Sequence, residues 1–170
     1  MENKNPIIKI TVADMGEMTA ELYPDKAPKT VENFLKLINE GFFSGMIFHR
    51  VIKGFMIQGG GYTADFKEKD AVSIYGEFAA NGFPQNDLKH KRGVLSMART
   101  SDPNSASSQF FVMHMDAPHL DAQYAGFGKV TEGFEVLDAI ASVKTGSYGW
   151  YMQDVPKTPV VIDSIEVVSR

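Results

Sequence analysis

Cysteine is absent from this chain of 170 residues. That excludes disulfides, zinc-thiolate sites and thiol nucleophiles, and it suits a reducing compartment. No apolar run approaches the ~20 residues that a membrane-spanning helix needs, so no membrane partner is expected. The opening residues Met1-Glu2-Asn3-Lys4-Asn5-Pro6 are polar and lack the apolar stretch and small-residue cleavage site of a secretory leader. Cytoplasmic residence is therefore the expectation. Positive charge is also scarce: 17 Lys and Arg against 21 Asp and Glu, a net charge of -4 mixed along the chain, leave no broad basic field for nucleic acid. The one basic cluster, Lys89-His90-Lys91-Arg92, reads as a solvated turn. No serine sits in a G-x-S-x-G elbow. The histidines, His49, His90, His114 and His119, show no metal-ligand spacing, with His49 expected to be a satisfied interior histidine. Neither a metal nor a cofactor is expected.

What is present is an ordinary globular composition, 44% apolar and 22% charged, in a length that suits one domain over 1–170. Ile8, Ile10 and Val12 alternate with polar residues, Asp14-Met15-Gly16 supplies a turn, and Met18, Ala20 and Leu22 alternate again, which predicts an opening β-hairpin. Pro28 suits a first helical turn, and Val31, Phe34, Leu35 and Ile38 follow at helical spacing until Gly41, predicting a helix over 29–40. From Met46 to Gly133 short apolar runs alternate with Gly, Pro and Asn turns, and a second helix follows over 134–141. Val160 to Val168 reads as a closing strand, and the aromatic stretch Thr145 to Met152 is expected to pack over the domain. The pattern predicts a mainly β protein, a closed antiparallel β-barrel with one helix over each end. A small barrel is filled by its own side chains, so a ligand site belongs on an outer face.

Two segments have the composition of a pocket wall: Phe48 to Gln58 and Ser108 to Met113 each carry a polar group among aromatic and Met residues. In extended chain, alternate side chains share a face. Gln109, Phe111 and Met113 therefore point one way, Phe110, Val112 and His114 the other, and the same parity groups Phe48 with Arg50 and Ile52. Gly54 lets the chain bend, so counting does not fix the facing of Phe55, Met56 and Gln58. Arg50 is a permanent charge and donor in apolar company. Gln58 can orient it, and a ligand carbonyl can accept from it.

At these residues the sequence resembles the cyclophilin family of peptidyl-prolyl cis-trans isomerases. The match is nearly full-length and runs through Ala27-Pro28-Lys29-Thr30-Val31-Glu32-Asn33-Phe34, Phe48-His49-Arg50-Val51-Ile52-Lys53-Gly54-Phe55-Met56-Ile57-Gln58-Gly59-Gly60, Gly93-Val94-Leu95-Ser96-Met97-Ala98-Arg99, Ser107-Ser108-Gln109-Phe110-Phe111 and Phe127-Gly128-Lys129-Val130. The resemblance implies a closed eight-stranded antiparallel barrel capped by two helices. It implies catalysis of rotation about X–Pro bonds by Arg50 with Gln58, and assistance to protein folding. It also implies a proline pocket of Phe55, Met56, Phe111 and Leu120, with Gln109, Ala98 and the backbone at Arg99 holding the flanking peptide.

Three positions depart from the best-known eukaryotic members: His119 stands where those have Trp, Tyr124 where they have His, and Arg99 where they have Asn. Tyr124 can still stack on a proline ring, Arg99 alters the flank, and His119 implies weakened cyclosporin binding. The turn Thr100 to Ser105 looks like bacterial members. The implied partners are proline-containing peptides and unfolded or partly folded proteins, met by a monomer. The other reading is a module that captures proline peptides as a binder or chaperone, with catalysis incidental.

Overall fold

A computed structural model describes residues 5–149 and 152–169. Strand β1 (Ile7–Val12) and strand β2 (Gly16–Leu22) form the expected hairpin, with Ile8 opposite Ala20 and Ile10 opposite Met18. The alternating apolar residues of both strands are buried, so the hairpin's inner face is set by its period of two. Helix α1 (Pro28–Asn39) begins at its proline and buries Val31, Phe34, Leu35 and Ile38, one residue offset from the expected boundaries.

No side chain near the start of α1 caps it. The cap comes from afar: the buried Glu77 carboxylate accepts from the Thr30 backbone N–H and from Thr30 Oγ1, both at 2.7 Å, and from the Lys29 N–H at 3.2 Å. Placed there, the carboxylate meets both the unpaired donors and the positive end of the helix dipole.

The remaining strands are short: β3 (Arg50–Ile52), β4 (Met56–Gly59), β5 (Val94–Met97), β6 (Phe110–Met113) and β7 (Gly126–Glu132). After helix α2 (Phe134–Ala141) come β8 (Thr145–Tyr148), β9 (Met152–Pro156) and β10 (Ile162–Ser169). One antiparallel sheet of eight strands runs β10-β1-β2-β7-β5-β6-β4-β3, and β8 pairs with β9 in a separate hairpin.

The closed barrel is corrected here. Among the described residues β3 and β10 share no ladder, so the sheet is an open, curled half-barrel; the irregular chain before β3 meets the start of β10 through an isolated bridge, Ile47 with Val161, and through backbone bonds from the Phe48 N–H to the Val160 carbonyl at 3.0 Å and from the Ile162 N–H to the Met46 carbonyl at 2.7 Å. The physical reason is the irregular chain before β3, which leaves only three residues in that edge strand. The same irregularity overturns one facing: Phe48 is fully buried against Phe110 on the inner side, whereas Arg50 is exposed on the outer side. Parity holds only where the chain is a continuous strand.

Inside the curl, Phe34 packs at 4.9–5.3 Å against Phe43, Phe110 and Phe127. A second, smaller cluster of Met56, Val94, Phe111, Met113, Ala117 and Leu120 lies on the other face, with Phe55, Ala98 and Tyr124 partly buried against it. Strand β6 serves both, sending Phe110 and Val112 inward and Phe111 and Met113 outward as its alternation predicts. The 145–152 stretch is described only in part: Tyr148 is 42% exposed and stacks on Phe66, and Trp150 and Tyr151 lie outside the described residues.

Candidate functional site

The sheet register builds a row of functional groups across three strands. Phe111 of β6 pairs with Gln58 of β4, and Gln58 pairs with Arg50 of β3. Around this row Arg50, Phe55, Met56, Gln58, Ala98, Arg99, Phe111, Leu120 and Tyr124 line one cavity of about 150 Å³. Gly54, at φ +83°, makes the turn that brings Phe55 and Met56 to its wall. Its floor is apolar, with Phe111 and Tyr124 packed edge to face at 5.7 Å, and Arg50 brings a permanent positive charge to it.

Gln109 is not in that cavity. It lines an adjoining compartment of about 150 Å³ with Thr100, Ser105 and Ser107, and the two spaces share Gln58, Ala98 and Arg99. The Gln58 Nε2 donates to Gln109 Oε1 at 3.0 Å, which leaves Gln58 Oε1 to accept a long 3.4 Å bond from Arg50 Nη1. The amide pair thus orients the guanidinium while leaving most of its donors free. Gly61 lies directly beneath: a Cβ there would stand 2.5 Å from the Gln109 side chain, so a larger residue would push the Gln109 amide out of its present position.

Arg99 spends its side chain on the protein. It donates to the Thr100 carbonyl at 2.9 Å and the Gln123 carbonyl at 2.7 Å, and it lies over the rings of Phe78 and Tyr124 at 4.8 and 4.7 Å. It therefore braces Tyr124. His119 is exposed and outside the cavity, stacked on Phe55 at 5.9 Å.

Two support networks were not legible in the sequence. The basic cluster is not a solvated turn, because His90 is fully buried behind Phe111, its ring bonded to Ser96 Oγ at 2.8 Å and 3.3 Å from Asp121 Oδ1. Burial pulls its pKa down, and Asp121 only partly offsets that. Arg92 forms a bidentate pair with Asp138 of α2 at 2.8 and 3.0 Å, and this pair holds the Asp138 carboxyl below the usual carboxylate range. His114, expected only to face inward from β6, joins this pair: its Nε2 lies 3.0 Å from Asp138 Oδ1 and its Nδ1 accepts from the Gly54 N–H at 2.8 Å. These contacts span 24 to 60 residues in sequence, so no local spacing announces them.

His49 is also corrected. It is buried against Tyr62, but its Nδ1 has no hydrogen-bond partner, and burial together with the Arg50 charge lowers its pKa to about 4. Among the described residues no group of three or more His, Cys, Asp or Glu is disposed to hold a metal, and no helix is long and apolar enough to cross a membrane. A larger groove of about 710 Å³ runs beside α1 between Pro24, Pro28, Val31 and Leu35, but it contains none of the residues that carry chemistry in the motifs.

The sequence and the fold that carry this site are matched by known proteins. The family model for cyclophilin type peptidyl-prolyl cis-trans isomerase/CLD matches residues 7–167. A peptidyl-prolyl cis-trans isomerase of Acinetobacter baylyi is 46% identical over 161 residues, 92% of this chain and 82% of the relative. Peptidyl-prolyl cis-trans isomerase B of Escherichia coli is 43% identical over 160 residues, 89% of this chain and 94% of that protein. A crystal structure of a Cryptosporidium parvum cyclophilin type isomerase in the presence of the dipeptide Ala-Pro matches with a TM-score of 0.77 at 32% identity, covering 96% of this chain and 99% of that one. Because sequence and fold agree over nearly the whole length, this chain belongs to the cyclophilin-type peptidyl-prolyl cis-trans isomerases.

Proposed function

We propose that this isomerase acts through Arg50, with the proline ring of the substrate seated among Phe55, Met56, Phe111, Leu120 and Tyr124. The barrier to peptide-bond rotation is ~18–20 kcal/mol because nitrogen shares its lone pair with the carbonyl. As the X–Pro bond twists, that pair localises on the proline nitrogen. A donor aimed there binds the twisted state and finds little to hold in the planar one, which is differential binding of the transition state. Arg50 suits the task because it is always protonated and its fork can donate to the nitrogen and a nearby carbonyl together. A rate factor of ~10⁵ needs about 7 kcal/mol of such selectivity. One charge-assisted donor, a water-poor apolar slot and a fixed anchor for the substrate carbonyl share that load. Gln58 and Gln109 hold the flanking peptide with Ala98 and the Arg99 backbone, and His119 contributes at the rim through Phe55.

The single observation that supports this reading is that Arg50, exposed and in register with Gln58, lines the same small cavity as the five apolar and aromatic residues. The Ala-Pro dipeptide present with the C. parvum relative is the same chemistry. The substrates are exposed X–Pro segments of peptides and of unfolded or partly folded proteins. The protein acts as a single-domain monomer in the cytoplasm, without metal or cofactor.

The test is a protease-coupled assay of cis X–Pro peptide turnover with wild type and Arg50→Ala side by side. The variant loses at least about a hundredfold in kcat/KM, the scale of removing a main electrostatic donor, and keeps its melting temperature. Wild-type rates in the variant refute the assignment. NMR exchange on a bound proline peptide separates an enzyme from a mere binder, since a binder does not speed cis-trans exchange.

A further inference from the structure

The row Phe111, Gln58, Arg50 does not end at Arg50. Strand β9 lies beside the edge strand β3, and its residues Met152, Gln153 and Asp154 join His49 and Arg50 around a third space of about 370 Å³. Neighbouring spaces share wall residues. Gln58, Ala98 and Arg99 are common to the Gln109 compartment and the proline slot, and Arg50 is common to the proline slot and this third compartment. A peptide with its proline in the middle space and one flank over Gln109 therefore carries its other flank past Arg50 and along β9.

The third compartment has a distinct chemistry. His49 is buried and neutral across the physiological range, so the charges lining the space are Arg50 and Asp154. Arg50 has its task at the twisting amide. Asp154, by contrast, has no ion pair or side-chain hydrogen bond among the described residues. Its backbone is also unusual. Asp154 sits at φ +60°, a left-handed conformation for a non-glycine residue inside a strand, and the β8–β9 pairing carries a register shift between Gly146 and Tyr148. Strain and bulges of this kind beside a site re-aim a side chain, and they persist where the surrounding ladder holds them.

We infer that the compartment of His49, Arg50, Gln153 and Asp154 is a second flanking subsite of the substrate groove, and that Asp154 makes it select a basic residue on the side of the X–Pro bond away from Gln109. This inference rests on the reading of Arg50 above. It identifies the preferred substrates as X–Pro segments with Lys or Arg on that flank.

The test measures kcat/KM on a peptide panel in which Lys, Ala or Glu occupies each position flanking one X–Pro bond. In wild type, Lys exceeds Glu by about fivefold to tenfold at one flank in low salt, the scale of a partly exposed charge contact. The ratio shrinks as salt screens it. In Asp154→Asn, which keeps a residue tolerant of positive φ, and in Asp154→Gly, which suits that conformation without strain, the Lys to Glu ratio at that flank falls to about one. The ratio is insensitive to the folded fraction, so a loss of stability does not imitate the result. A wild type with no preference at either flank, or a preference that survives both variants, overturns the inference and leaves the isomerase reading standing. If wild type and Arg50→Ala turn over every peptide alike, the Arg50 reading itself fails.

Discussion

Removing the His114 imidazole loosens the pocket from behind, and the structure sets the size of the effect. The side chain is 5% exposed and makes two bonds of opposite sense. Its Nδ1 accepts from the Gly54 N–H at 2.8 Å, so its proton resides on Nε2 and is donated to Asp138 Oδ1 at 3.0 Å. The His114 N–H in turn donates to the Phe55 carbonyl at 2.9 Å, which ties the same short segment to the turn carrying the pocket wall. In His114→Ala the Gly54 N–H loses its acceptor. Because Gly54 is itself exposed, water offsets part of that loss and about 0.5–1.5 kcal/mol remains. Asp138 keeps Arg92 and loses little. The vacated buried volume costs about another 1 kcal/mol. The sum is about 1.5–2.5 kcal/mol, or a fall in Tm of about 3–10 °C for a domain of this size. His114→Asn places a carbonyl where Nδ1 stood, restores the Gly54 bond and recovers about half of the loss. Since Arg50 is untouched and only the Phe55 wall is freed, KM for X–Pro peptides rises several-fold with a smaller change in kcat. Calorimetry and the coupled assay on both variants check this. A His114→Ala protein melting within about 1 °C of wild type, or an Asn variant no better than Ala, refutes the reasoning.

Four further outcomes are expected. Phe34→Ala removes the ring at the centre of the inner aromatic cluster and costs about 3–5 kcal/mol by denaturant unfolding. His49, with a pKa lowered from 6.5 to about 4, binds a proton more readily unfolded than folded, so its contribution to stability is whole above about 6.5 and is lost as pH falls toward 4. That contribution is about 3–4 kcal/mol; His90 acts with the same sign, and His49→Phe flattens the His49 share of a Tm-versus-pH curve. The isomerase rate itself stays nearly flat between mildly acidic and mildly basic pH, because no acid or base takes part, and a steep histidine-like profile contradicts that mechanism. The family resemblance, with His119 where the best-known eukaryotic members have Trp, implies weak cyclosporin inhibition that His119→Trp strengthens in a titration; an unchanged inhibition curve refutes it.

Local periodicity determined much of the fold on its own: the opening hairpin, α1 to within a residue, and the two-faced β6. Nine of the eleven residues expected at the site line one cavity, and Gln109 and His119 adjoin it. The hairpin, the helix and the two faces of β6 were legible because a period of two or 3.6 belongs to neighbouring residues, whereas Ala98, Arg99, His119, Leu120 and Tyr124 were placed at the site by the family resemblance alone.

What only the tertiary structure decided are choices of partner made across long stretches of chain. Glu77 caps a helix 47 residues away, His90 leaves a basic run to be buried behind Phe111, and Gly54 finds its acceptor in His114, 60 residues on. Phe48 turns inward where the strand lapses, the sheet stays open between β3 and β10, and β9 comes to rest beside Arg50. Each depends on how the curl brings distant backbone together, and a hydrogen bond leaves no periodic trace in sequence when its partners are far apart in the chain.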